Sequence, residues 1–133
     1  MTKLCEHHDR PISPHLQIYR WPITMAASIT HRLTGVSLAF GTIFISLWLI
    51  ALAYDKTLFN FLDGLTHNII VRIALFLYSF ALMLHMAGGI RHLVWDVKTE
   101  LMEKHIANKM AILTYVIALI ATMLIWIFGY ILR

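Results

Sequence analysis

The chain has 133 residues, 59% of them apolar and 14% charged, with a formal net charge of +4. An apolar share this large excludes an ordinary soluble domain, and the single Cys5 excludes an internal disulfide, a cysteine-rich metal site and the C-x-x-C-H pattern of covalent haem attachment. The positive charge is distributed over the flanks of apolar runs, which argues against a nucleic-acid partner.

The first ten residues are polar, and the pair His7-His8 lacks the further ligands that a metal site would need. Residues 1–21 read as a surface arm: Pro11, Pro14 and Pro22 prevent one continuous helix, while Tyr19 and Trp21 suit the headgroup level. The arm is expected to lie on the inner surface or against a soluble partner. The first apolar stretch starts too late for a signal peptide and has no small-residue cleavage pattern, and no Arg- and Ser-rich transit segment precedes it.

A first span is expected over about 22–54, opening at Pro22, a favourable first helical position. Its early turns carry Ser28, His31, Arg32 and Gly35, which are related by i+3 and i+4 steps and so form one stripe. A hydroxyl, an imidazole and a guanidinium facing one way can bind a polar head carried by an apolar molecule. They can equally anchor the helix at the interface, with Arg32 snorkelling to phosphate. Residues 55–67 read as a short outer connection, with Asp63-Gly64 as a turn and His67 as a surface histidine.

A second span is expected over about 66–96 and a third over about 109–132, with Asn108 as a helix cap. Trp126 and Tyr130 suit an outer aromatic belt, and Thr114, Tyr115 and Thr122 read as helix-packing groups. Three continuous apolar runs without alternation give an all-α membrane protein of three transmembrane helices and exclude a barrel. With three spans, Lys3, Arg10, Arg20, Arg32, Arg91, Lys98, Lys104 and Lys109 share one side, and only Lys56, Arg72 and Arg133 lie on the other. This asymmetry puts the N-terminus on the cytoplasmic, or matrix-equivalent, side. The whole chain, 1–133, then forms one anchor domain.

The most informative stretch is His85-Met-Ala-Gly88-Gly89-Ile-Arg91-His92-Leu-Val-Trp95-Asp96, in the second span. An ionisable side chain inside a membrane helix is costly unless it meets a cavity, a partner or a cofactor. Gly88 and Gly89 follow His85 at i+3 and i+4 and would leave room for a flat ligand, while His92 at i+7 returns to the same face. With Arg91 and His92 as cationic donors near the end of the span, this pattern fits a haem and its propionates. It also fits a histidine bonded to a neighbouring helix, with glycines that permit close packing.

Three elements together resemble the large cytochrome b membrane-anchor subunit of succinate dehydrogenase, respiratory complex II. They are the arm Arg10-Pro11-Ile12-Ser13-Pro14-His15-Leu16, the element Ser28-Ile-Thr-His31-Arg32-Leu-Thr-Gly35, and His85-x-x-x-Gly89-Ile90-Arg91-His92 ending in Asp96. The resemblance covers nearly the whole chain. It implies a b-type haem shared with a smaller anchor subunit, with His85 as one axial ligand to the iron. A second ligand from another chain agrees with the sequence, where no other histidine lies deep in a span. The resemblance further implies that Ser28 and Arg32 line a ubiquinone site, that His31 and Arg32 approach a haem propionate, and that His92 and Asp96 support them. Arg91 joins the cofactor-binding set as a cation beyond the glycines.

A flavoprotein subunit and an iron–sulfur subunit are the implied partners on the inner face. This chain has neither a Gly-rich dinucleotide motif nor a cysteine set for a cluster, so it is not catalytic alone. The expected location is a bacterial inner membrane, in preference to a mitochondrial one. Competing readings are a quinol:fumarate reductase anchor, a haem-free structural anchor, and a small transporter. The last is disfavoured by the lack of an inverted repeat or broken helix.

Overall fold

The computed structural model describes residues 21–132. It contains α1 (Ile23–Tyr54), α2 (Lys56–Leu65), α3 (Ile69–Val97) and α4 (Lys104–Ile131), with a 3-10 turn at Thr99–Met102 between α3 and α4. Helices α1, α3 and α4 are each long and apolar enough to cross a membrane, as the sequence led us to expect. Of the surface arm only Trp21 is described, and it is exposed. Arg133 and the motif Arg10–Leu16 lie outside the described residues.

Helix α3 is the central element, packed most extensively on α4 and also on α1. Water-driven burial gives little to helices that leave lipid for one another, so close backbone approach through small residues has to hold them. Helix α4 accordingly turns Ala107, Ala111, Thr114, Ala118 and Thr122 inward, at steps of three and four residues. The two threonines satisfy their hydroxyls within the helix, Thr114 donating to Met110 O at 2.8 Å and Thr122 to Ala118 O at 2.7 Å. Large apolar side chains such as Phe40, Phe44, Leu77 and Phe128 instead point outward, as lipid or a partner subunit requires.

The start of the third span and the connection at 55–67 differ from the sequence reading. The last helix begins at Lys104, not Lys109, and Asn108 lies within its second turn, while Glu103 holds the cap position without a side-chain bond. The connection between the first two spans is not a plain loop. Lys56–Leu65 is helical because Asp55 Oδ1 accepts from Thr57 N at 2.9 Å and from Leu58 N at 3.0 Å, satisfying free N–H groups of its first turn. Asp63 and Gly64 close that helix, and Asn68 then caps α3 by accepting from Ile70 N at 2.8 Å. Trp126 is half-buried and donates to Ser79 Oγ at 3.3 Å, so it ties α4 to α3 where a membrane-belt role was expected.

Candidate functional site

The N-terminal half of α1 and the C-terminal half of α3 meet through two histidines and two glycines. The His31 ring of α1 lies over Gly88 of α3, where a Cβ would overlap it. The His85 ring of α3 lies against Gly35 of α1, where a Cβ would stand 3.0 Å from His85 Cε1. Each helix thus supplies a ring and receives one. The rings stack on each other with centroids 4.1 Å apart and planes 9° from parallel. The space expected over both glycines is therefore divided: His31 fills it at Gly88, while a Cβ on Gly89 would meet nothing within 4 Å.

The hydrogen bonds of His85 define its chemistry. Its Nδ1 lies 3.1 Å from the His31 carbonyl oxygen and 3.3 Å from Thr34 Oγ1. A carbonyl only accepts, so His85 Nδ1 is the donor. Thr34 in turn donates its own hydroxyl to the same His31 carbonyl, at 2.9 Å, leaving its oxygen to accept from Nδ1. In the neutral ring this fixes the Nδ1–H tautomer and leaves Nε2 with its lone pair, and Nε2 has no hydrogen bond among the described residues. A histidine oriented through Nδ1 with a bare Nε2 is the usual preparation of an axial metal ligand.

His92 meets the edge of the His31 ring with centroids 5.5 Å apart, and Trp95 meets His92 at 5.3 Å. The site thus brings together His31, His85 and His92. Arg91 takes another direction: it is only 5% exposed, and its guanidinium carbon lies 4.9 Å from the centre of the Trp95 ring. Its Nε and Nη1 are buried and unpartnered among the described residues. Arg32 is exposed and Ser28 half-buried, and neither side chain is bonded to another described residue. Asp96 is exposed on the last turn of α3.

Thr34 and Tyr115 belong to this site although neither was singled out as functional from sequence. Thr34 follows His31 by three residues, so the helical repeat of the Ser28 stripe contained the signal. Tyr115 reaches from α4 to Thr30 of α1, with the two hydroxyl oxygens 2.6 Å apart. Nothing in the spacing of α4 marks that tyrosine.

Comparison with known proteins agrees with this architecture. Residues 6–125 match the family model described as the succinate dehydrogenase/fumarate reductase transmembrane subunit. The chain is 36% identical over 126 residues to a succinate dehydrogenase cytochrome b556 subunit of Rickettsia felis, covering 95% of this chain and 98% of that one. It is 32% identical over 120 residues to the corresponding subunit of Paracoccus denitrificans, covering 89% and 92% of the two chains. A mitochondrial cytochrome b560 subunit of Bos taurus is 40% identical over 92 residues, covering 67% of this chain and 54% of that one. Three apolar helices and full-length bacterial relatives describe a multi-pass protein of a bacterial inner membrane. The chain belongs to the succinate dehydrogenase/fumarate reductase transmembrane subunit family, and along its length it is similar to the cytochrome b membrane anchors of succinate dehydrogenase.

Proposed function

We propose that this chain anchors a succinate:ubiquinone oxidoreductase in the membrane, with its N-terminus on the cytoplasmic side. In this reading it supplies His85 as one axial ligand of a shared b-type haem and builds part of the ubiquinone-reduction site. The observation that carries the reading is the pairing of His85 Nδ1 with His31 O and Thr34 Oγ1, which leaves Nε2 bare inside a membrane span. The partners are a flavoprotein subunit, an iron–sulfur subunit and a smaller anchor that contributes the opposite axial ligand.

Haem b, when bound, passes single electrons at a potential tuned by its axial ligands and surroundings. With haem bound, His85 would hold its iron, His31, Arg32 and His92 would bond its propionates, and Arg91 would add its charge from inside the bundle. Ser28 and Arg32 bind the quinone head. Reduction of a quinone to a quinol takes two electrons and two protons, and negative charge develops on its carbonyl oxygens. Arg32, with no ion pair among the described residues, is free to stabilise that charge by hydrogen bonding. Ser28 orients the second donor, and Asp96, exposed at the inner end of α3, relays protons from the surface.

The test is a reduced-minus-oxidised optical spectrum of the intact complex, wild type against His85→Ala. Loss or strong alteration of a b-type signal in the variant supports ligation. A wild-type complex without haem overturns it. A haem-free anchor is the second reading, because a His85 ring packed on Gly35 and bonded to α1 is also what a purely structural histidine would show. Arg32→Gln separates the quinone role: it should lower quinone-reduction kcat/KM by about tenfold or more, the equivalent of one charged hydrogen bond. Unchanged kinetics would remove Arg32 from the quinone site. Direction of turnover, toward quinol or toward fumarate, follows from the potentials of the assembled centres.

A further inference from the structure

Beside the stacked histidines, a small cavity of about 10 Å³ lies where α1, α3 and α4 converge. Ala27, Leu84 and Gly88 form its apolar wall, and His31, Arg91, Thr30, Thr114 and Tyr115 bring polar groups to it. Two of these are unpartnered among the described residues: His31 Nε2, and Arg91 through Nε and Nη1. Buried unpartnered polar atoms are rare, because each carries a desolvation cost of about 1–3 kcal/mol, more for a charged group. The cavity has about the volume that one water molecule requires.

We propose that this is a single-water site through which Arg91 positions His31. The donor inventory supports it. Arginine only donates, so the water accepts from Arg91. Thr30 donates its hydroxyl to Ala26 O at 3.0 Å, so Tyr115 is the donor in the 2.6 Å contact with Thr30 and keeps lone pairs free. Thr114 likewise donates to Met110 O at 2.8 Å and keeps lone pairs free. The water's two hydrogens then go to His31 Nε2 and to the Tyr115 or Thr114 oxygen, about the three bonds typical of buried water. His31 Nε2 is thereby an acceptor, and its Nδ1 lies on the ring edge away from Gly88. Arg91 acts as a positioning residue in this arrangement, and the inference does not depend on haem being bound.

Two measurements test it on the intact complex. A structure that resolves ordered solvent should show one water within hydrogen-bonding distance of both His31 Nε2 and an Arg91 nitrogen. Direct contact between the two side chains, or both turned to other partners, overturns the proposal. In histidine-labelled complex, the ¹⁵N resonance of His31 Nε2 should carry the signature of a hydrogen-bonded acceptor and lose it in Arg91→Met. An identical resonance in both proteins overturns the positioning role. Should Arg91→Met fail to assemble, the wild-type structure decides alone.

Discussion

Helix α3 presents two unlike interfaces. Toward α4 it meets a stripe of alanine and threonine whose polar groups are satisfied within their own helix, at the level of Ala111, Ala118 and Thr122. Toward α1 it meets rings seated on glycines, with hydrogen bonds that cross between helices. The first contact depends on smallness and tolerates no added volume. The second depends on shape and on lone-pair direction, so it holds the helices together while leaving an imidazole nitrogen available for chemistry.

Substitutions should separate the two interfaces by what they damage. Gly88→Val is expected to be the most severe, because its side chain must displace the His31 ring. It should cost about 3 kcal/mol or more, and both the thermal stability of the complex and its haem spectrum should suffer. Ala111→Leu overpacks the other face. It should lower thermal stability by about 1–3 kcal/mol while any haem that is incorporated keeps a wild-type spectrum. An altered spectrum in Ala111→Leu would show that the two faces are not independent.

Smaller changes sharpen the contrast. Asp55→Ala removes the N-terminal cap of α2 and should cost about 1 kcal/mol, seen as faster amide exchange in Lys56–Leu65 with the spectrum unchanged. Tyr115→Phe deletes the one hydroxyl bridge from α4 to Thr30 and should cost only about 0.6 kcal/mol, the average for hydrogen bonds between membrane helices. A loss several times larger would mean that Tyr115 organises the site beyond its bond to Thr30.

The three spans were legible in the sequence because a bilayer imposes length and apolarity directly on the chain, and the three long helices are where those runs lie. The short helix Lys56–Leu65 was less so. Asp63-Gly64 is a turn pair by composition, but the capping Asp55, eight residues upstream, decides that the segment coils. At the site, spacing grouped His85 with His92 and Ser28 with His31, yet it could not say which ring would occupy which glycine. That outcome depends on the crossing of two helices distant in sequence, so Gly88 reads as a clearing on its own helix and becomes a seat for His31 once α1 is present. Arg91 and His92 are neighbours in sequence but lie about 100° apart around the helix, which buries one where α1, α3 and α4 converge and leaves the other exposed at the edge of the His31 ring.

The reciprocal seating of His31 on Gly88 and His85 on Gly35 also works as an index mark between two rods. A third such contact, Tyr78 against Gly41 with its hydroxyl 3.4 Å from Leu38 O, lies further along the same pair. Sliding α1 along α3 by a single residue, about 1.5 Å, would drive all three rings from their seats at once. The depth at which His85 sits in the membrane is therefore set by α1 as much as by its own helix, and an insertion or deletion of one residue between Gly35 and Gly41 would leave two seats and a third ring with nowhere to go.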